Sequence, residues 1–311
     1  MRVLVMGSGG VGGYYGALLA RAGEEVTFVA RGANLAALRE GGLQVRSVLG
    51  DFAVRPVQAT DDPASAGPVD LILFCVKAYD TEAAAPLVRP NVGPETAVIS
   101  LQNGVEKEEQ LARVLGEGAV MGGAAYIFAT RVAPGTVEHR GGPRRIIFGE
   151  LLGGESARGR RIEAVLVRAG VEAELSLDVR VPIWDKFMTI CGTAGSTSLT
   201  RLPIDEILAC PPSRALLEGL MAEVHRLARA QGVGLPEDAP ATRMAYLEKL
   251  AKGARTSLYH DLVAGRRMEL EFLHGTAVRL GRQLGIPTPL CFAVYAALKP
   301  YDERARGSNE Q

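Results

Sequence analysis

The spacing of apolar and polar positions changes character near Val181. Before it, short β-like apolar runs alternate with helical patterns. "RVLVMG" reads as a strand and "YYGALLARAG" as a helix closed by Gly23, and "EVTFVA" reads as a second strand. Further strands are expected at "LQVRSVL", "FAVRPVQAT", "VDLILFCVK", "TAVISLQNG" and "AVMGGAAYI", with helical patterns at "DTEAAAPLV" and "EKEEQLARVL". Such alternation predicts a largely parallel sheet, with an added hairpin near residues 43–58. "TVEHRGGPRRIIFGE" predicts a terminal hairpin, "SARGRRIEAVLVRAG" one more helix and "VEAELSLD" a short strand or linker. After Val181, apolar residues recur at helical spacing in "CPPSRALLEGLMAEVHRLARAQG" and "MELEFLHGTAVRLGRQLG". Pro211-Pro212, "GVGLPEDAP", Gly265 and "GIPTP" break these helices. The expected architecture is a Rossmann-type α/β domain with a parallel-rich sheet at 1–172, followed by an all-α domain at 173–311. Its helices should end near residue 300, leaving "DERARGSNEQ" as a frayed polar tail.

Size and composition agree with two domains. The chain has 311 residues, 47% of them apolar, with 37 glycines, and single cores rarely exceed about 250–300 residues. Thirty-five basic and 35 acidic residues cancel, which gives no basic footprint for nucleic acid or an anionic membrane. No apolar run approaches the ~20 residues of a membrane helix. The N-terminus enters a strand at once, leaving no room for a signal peptide. The four cysteines (Cys75, Cys191, Cys210, Cys291) are widely spaced, as are the four histidines. This argues for buried free thiols in a reducing cytoplasm and against a metal site. A small-molecule substrate and a homodimeric assembly are the expected partnerships.

The first candidate chemistry is a nucleotide site. Gly7, Gly9 and Gly12 fit G-x-G-x-x-G between a strand and a helix, as dinucleotide binding requires. Gly7 permits the tight turn, Gly9 lets the backbone approach a pyrophosphate, and Gly12 brings helix and strand together. The cradle is therefore Gly7, Ser8, Gly9, Gly10, Val11 and Gly12. Where NAD-binding chains carry an acid after the second strand, this chain has Arg31, with Asn34 following. A carboxylate would repel a 2′-phosphate and a guanidinium grips it, so the expected cofactor is NADP(H). Lys77 and Asn103 stand at two strand ends, where open α/β sheets bind ligands, and are candidate cofactor and reaction-centre contacts.

The second lies in "WDKFMTICGTAGSTSLTR" (184–201). It holds the only tryptophan and Lys186, one of only six lysines, and fourteen uncharged residues follow that lysine. Together with "CVKAYD", "QNG", "RTSLYHD" and "RRMELEFLHG", in that order, the chain resembles the ketopantoate reductase (2-dehydropantoate 2-reductase) family over nearly its whole length. The resemblance implies NADPH-dependent reduction of 2-dehydropantoate to (R)-pantoate, a step towards pantothenate and coenzyme A. It makes Lys186 the catalytic proton donor and Glu269 its partner beside the substrate. Ser257 matches the contact to the substrate carboxylate, Lys77 and Asn103 match residues at the nicotinamide, and Asp261 a supporting position. The chemistry suits the residue types: hydride on C2 of a 2-oxo acid leaves an alkoxide, which a cationic lysine stabilises and protonates. The uncharged helix after Lys186 is then expected to wall the substrate site. One departure concerns specificity. The family commonly has asparagines four and eight residues after the lysine, and here they are Ile190 and Ala194. Thr193 or Ser196 is the alternative hydrogen-bonding group. Two other readings follow: reduction of a more apolar 2-oxo acid or ketone, and a non-catalytic NADP(H)-binding regulator.

Overall fold

The computed structural model describes residues 1–250 and 252–309. Contacts divide the chain into two compact units. The first is Met1–Gln102 with Lys107–Val179; the second is Asn103–Glu106 with the chain from Arg180 onward.

In chain order the first unit comprises β1 (Arg2–Met6), α1 (Gly10–Arg21), β2 (Glu25–Val29), α2 (Gly32–Gly41), β3 (Leu43–Ser47), β4 (Phe52–Val54) and β5 (Gln58–Thr60). It continues with β6 (Val69–Phe74), α3 (Thr81–Ala84), β7 (Val92–Ser100), α4 (Lys107–Leu115), β8 (Val120–Tyr126) and β9 (Ala129–Ala133). β10 (Thr136–His139), β11 (Arg145–Glu150), α5 (Ala157–Arg168) and β12 (Glu172–Leu175) complete it. Eight strands form one sheet in the order β12-β11-β8-β7-β6-β1-β2-β5. From β8 to β5 all neighbours are parallel. β11 runs antiparallel to β8 and pairs in parallel with β12. The central strands are buried on both faces, which is why "VLVM" and "LILF" read as unbroken apolar runs. The strand order reverses between β1 and β6. That switch point is where such sheets receive ligands.

A second sheet, ordered β4-β3-β10-β9, covers the other side of α1. The helix can lie between two sheets because it carries glycine on two faces. A Cβ on Gly12 would come within 2.9 Å of Val5 in the large sheet and of Cys75 just past the end of β6. A Cβ on Gly10 or Gly13 would come within 2.7 Å of Ala129 or Val137 in the small one. Gly10 and Gly13, which are not among the three glycines the motif requires, therefore serve a second packing face.

The expected hairpin near 43–58 forms as the antiparallel β3–β4 pair, inside the small sheet. Two expectations need correction. "TVEHRGGPRRIIFGE" is not a hairpin: β10 pairs with β3 and β9, and β11 with β8 and β12. Gly141 and Gly142, at φ +92° and +77°, carry the chain from one sheet to the other. "FAVRPVQAT" is two strands in different sheets, interrupted at Pro56, which has no N–H to offer a ladder. β9 had no sequence signal, since four of its five residues are exposed. As for the division expected at 172/173, β12 completes the edge of the large sheet, and the units part at Val179/Arg180.

The second unit is helical: α6 (Arg180–Thr200), α7 (Ile204–Ala209), α8 (Pro211–Ala230), α9 (Ala239–Leu247), α10 (Ser257–Val263), a π-helical turn at Glu271–Gly275, α11 (Thr276–Leu284) and α12 (Pro289–Asn309). α6 is its centre. Residues 191–198 are buried on every face, and Gly192 and Gly195 let Met221, Leu220 and His274 approach closely. Trp184 packs edge-on against Phe187 at 5.7 Å. Glu223 on α8, 2% exposed, accepts the N–H groups of Leu290 and Cys291 at 2.8 Å, placing a carboxylate on the N-terminus of α12. Three thiols are partly or fully buried, with their pKa values pushed up by burial, whereas Cys210 is exposed.

The frayed-tail expectation fails for residues 302–309, which continue α12; Glu310 and Gln311 lie outside the described residues. The cause is Asp302, 3% exposed, which accepts the Met268 N–H at 2.8 Å, together with buried Ala305. Asp302→Ala strands that buried N–H and should cost about 1–3 kcal/mol. The melting temperature should fall, while Glu303→Ala, at an exposed position, should leave it unchanged. Equal melting temperatures for both variants would mean the helix end is not anchored this way.

Candidate active site

In the first unit, Gly7 takes φ +100°, and a Cβ there would lie 2.8 Å from Val76 N on the neighbouring strand end. Only glycine fits. A Cβ on Gly9, by contrast, would meet nothing within 4 Å, so the second motif glycine faces open space. α1 starts from Gly9 with no side-chain cap and no acid in its first turn, leaving its leading N–H groups to an outside acceptor. Ser8 is turned to structural use: its hydroxyl donates to Val29 O at 3.1 Å. Asn34 donates to Ser8 O and Oγ and accepts Gly135 N–H at 2.9 Å, tying the glycine turn to the small sheet. Arg31 is exposed at the N-cap of α2, just past the end of β2. Lys77 is half-buried just past the end of β6. Gln102, 5% exposed, donates to Val76 O at 3.0 Å and Thr81 Oγ1 at 2.7 Å and so joins the ends of β6 and β7.

In the second unit, Lys186 is half-buried in the second turn of α6. Next to it Asp185, 9% exposed, holds Arg243 of α9 in a two-pronged ion pair, with Nε donating to Oδ1 at 2.8 Å. Glu269, 7% exposed, accepts from Asn103 Nδ2 at 3.4 Å. The π turn that follows Glu269 is fastened to α6 by His274, whose Nε2 donates to Cys191 O at 2.9 Å. Ser257 is exposed at the start of α10. Thr256, which caps that helix, shares a hydrogen bond with Thr197 of α6 at 2.9 Å. Asp261 binds Arg266 at 2.9 Å, closing the turn between α10 and the Glu269 segment. On the π turn, Glu271 is pushed up by burial, but hydrogen bonds from Tyr295 and Lys299 outweigh this and hold it below the usual carboxylate range.

Ketopantoate reductase PanE/ApbA models match residues 3–153 and, for the C-terminal part, 178–302. The chain belongs to the ketopantoate reductase family. It is 32% identical to a 2-dehydropantoate 2-reductase of Halobacterium salinarum over 93% of this chain and 95% of that one. A crystal structure of a PanE/ApbA family ketopantoate reductase from Ralstonia eutropha superposes with a TM-score of 0.90 at 33% identity, covering 98% of this chain and 100% of that one. D-mandelate dehydrogenase, solved with NADH and anilino(oxo)acetate, shares the fold with a TM-score of 0.90 at 19% identity, covering 98% and 99% of the two chains. This oxidoreductase family thus sets the frame for the residues above.

In this ketopantoate reductase family member core packing alone accounts for most of the uncharged stretch after Lys186. Its residues 191–198 form the buried centre of the helical unit, whereas Thr189 and Ile190, nearer the lysine, are half-buried. The hydroxyls of Thr193 and Ser196 donate to carbonyls one turn back, at Thr189 and Gly192, each at 2.8 Å, which leaves them only acceptor lone pairs. Ile190 is half-buried and Ala194 is 1% exposed. Gln102, Asp185 with Arg243, Thr197 with Thr256, and His274 were not singled out from sequence. Only Gln102 and Asp185 carried a signal, as neighbours of Asn103 and Lys186. Among the described residues no group of three or more His, Cys, Asp or Glu side chains is arranged to hold a metal, and no helix is long and apolar enough to cross a membrane.

Burial lowers the His274 pKa to about 4, against an ordinary 6.5. A histidine depressed on folding takes up fewer protons folded than unfolded between those values. Its stability contribution is therefore complete above pH 6.5 and is lost as pH falls towards 4. Between pH 7 and 5 the parent should lose about 2 kcal/mol more than His274→Gln, from ~1.36 kcal/mol per pKa unit over 1.5 units. Calorimetric melting of both proteins across that range checks it; parallel pH profiles would contradict it.

Proposed function

We propose that this chain is an NADPH-dependent 2-oxo acid reductase that converts 2-dehydropantoate to (R)-pantoate, supplying pantothenate and coenzyme A synthesis. Supporting this most directly is the buried Glu269 with Asn103 donating to it, just before a turn fastened to the helix that bears Lys186. A buried carboxylate with an amide partner in that position suits holding a lysine ammonium and a polar substrate rather than simply filling a core. Residues Gly7–Gly12 would hold the pyrophosphate, for which the open space at Gly9 and the uncapped α1 are suited. Arg31 would hold the 2′-phosphate and Lys77 a phosphate or ribose oxygen. The bound cofactor supplies a hydride to C2 of the oxo acid.

The protein's own groups do the rest. Ser257 would bind the substrate carboxylate at the exposed start of α10. Lys186 would direct its ammonium at the carbonyl oxygen, stabilise the negative charge arriving there and transfer a proton to it, leaving a neutral amine and a hydroxy acid. Solvent then returns a proton to the amine. Glu269 would keep the lysine charged before the transfer, Asn103 would orient Glu269, and Asp261 would brace the segment through Arg266. A second reading, reduction of a more apolar 2-oxo acid, is favoured by one observation: one turn past Lys186, α6 presents the half-buried, apolar Ile190, and the hydroxyls of Thr193 and Ser196 donate to the helix's own carbonyls.

The test is loss of NADPH absorbance with a panel of 2-oxo acids, including 2-dehydropantoate and branched aliphatic analogues without the hydroxyl. 2-Dehydropantoate should give the highest kcat/KM. A branched analogue in first place would favour the second reading, and no turnover with any would leave the regulator. NADPH should be preferred to NADH by at least about tenfold, the worth of one charge-assisted phosphate contact. Arg31→Ala should erase most of that preference, and equal kcat/KM for both cofactors in the parent would contradict the assignment of Arg31.

A further inference from the structure

The Asn103–Glu269 hydrogen bond is 3.4 Å long. A neutral amide donor at that distance is too weak to fix a loop by itself. Something else must therefore hold Asn103, and the strongest interactions of its loop lie three residues on. Glu106 Oε2 accepts Thr276 Oγ1–H at 2.7 Å and Arg279 Nη2–H at 2.9 Å. Both are hydrogen bonds to a charged acceptor, roughly twice as strong as neutral ones. The same Arg279 donates through Nη1 to the Glu271 carboxylate and through Nη2 to the Glu271 backbone carbonyl at 3.3 Å. Glu271 is in turn held by Tyr295 Oη at 2.8 Å and Lys299 Nζ at 3.0 Å, both on α12.

The π turn brings its first carbonyl within reach of the guanidinium. Gly275 N–H reaches back five residues to Leu270 O at 3.0 Å, so Glu271 O does not receive the N–H it would have in an α-helix. Arg279 and Thr276 reach that carbonyl instead. Between Asn103 and Glu106, Gly104 at φ +102° brings the loop against the turn, where a Cβ would lie 3.0 Å from Phe272 O. An exposed ion pair on its own contributes little. Here one planar guanidinium spans four acceptors on two segments, the fourth being Thr276 Oγ1 at 2.9 Å, a geometry that lysine cannot reproduce.

We propose that Arg279 is a positioning residue: by gripping Glu106 and Glu271 together it holds Asn103 against Glu269. Its effect on turnover rests on the reading of Asn103 and Glu269 given above. Its effect on the loop does not.

The test is a double-mutant cycle on the full-length protein with NADPH and the preferred 2-oxo acid, with hydrogen–deuterium exchange of the peptide covering 103–106. Arg279→Met and Asn103→Ala should each lower kcat by about tenfold. The double variant should fall no more than about twofold below Asn103→Ala, because the arginine acts through the asparagine. Arg279→Met should also raise deuterium uptake at 103–106 without changing uptake in α8. Should Arg279→Met not fold, Glu106→Gln weakens the same grip from the half-exposed loop side and carries the same expectations. Losses that multiply to about a hundredfold, or unchanged uptake at 103–106, would overturn the proposal. An inactive parent would instead refute the reductase reading, and the exchange data alone would then decide whether the grip exists.

Discussion

The enclosure of α6 is the constraint on which the helical unit depends. A helix buried on every face from residue 191 to 198 cannot carry charge, which accounts for the long uncharged stretch. It also cannot slide or rotate without breaking contacts with α8, the π turn and α12 at once. Lys186 and Asp185 stand at its less buried end. There the Asp185–Arg243 ion pair ties the helix to α9 and opposes its rotation. The proposed acid therefore rides on the most constrained element of its unit, which is how a positioned proton donor differs from a surface lysine.

The nucleotide side obeys a similar economy. One helix, α1, serves as a packing layer for two sheets and as the open, uncapped end expected to meet an anion. Its glycines divide between these tasks. Gly7 makes the turn, Gly9 faces open space, Gly12 meets the large sheet, and Gly10 and Gly13 meet the small one. A motif that looks glycine-rich to excess is accounted for residue by residue.

Much of this was legible in the chain because the physics involved is local. Strand–glycine–helix order, Arg31 in place of an acid, and polar residues at the ends of β6 and β7 are read from adjacent positions. The rest depended on distant partners. β9 is an exposed edge whose residues show no alternation, so nothing distinguished it from a loop. The helical end at 302–309 is fixed by Asp302 meeting Met268, thirty-four residues away. The π turn has no sequence signature, and the partners Glu106 and Arg279 lie 173 residues apart. That Thr193 and Ser196 donate to their own helix's carbonyls depends on side-chain rotamers, which the sequence does not display.

The central claim is that Lys186 delivers the proton. Single-turnover hydride transfer from NADPH, measured for Lys186→Ala and Lys186→Arg with melting as a folding control, tests it most directly. The account predicts folded proteins that bind NADPH normally but are slowed by about 10²–10⁴. Arginine should not rescue the rate, since a guanidinium keeps its proton near neutral pH. Near-normal hydride transfer in a folded Lys186→Ala protein would contradict the account, and recovery by arginine would reduce the lysine to an electrostatic role.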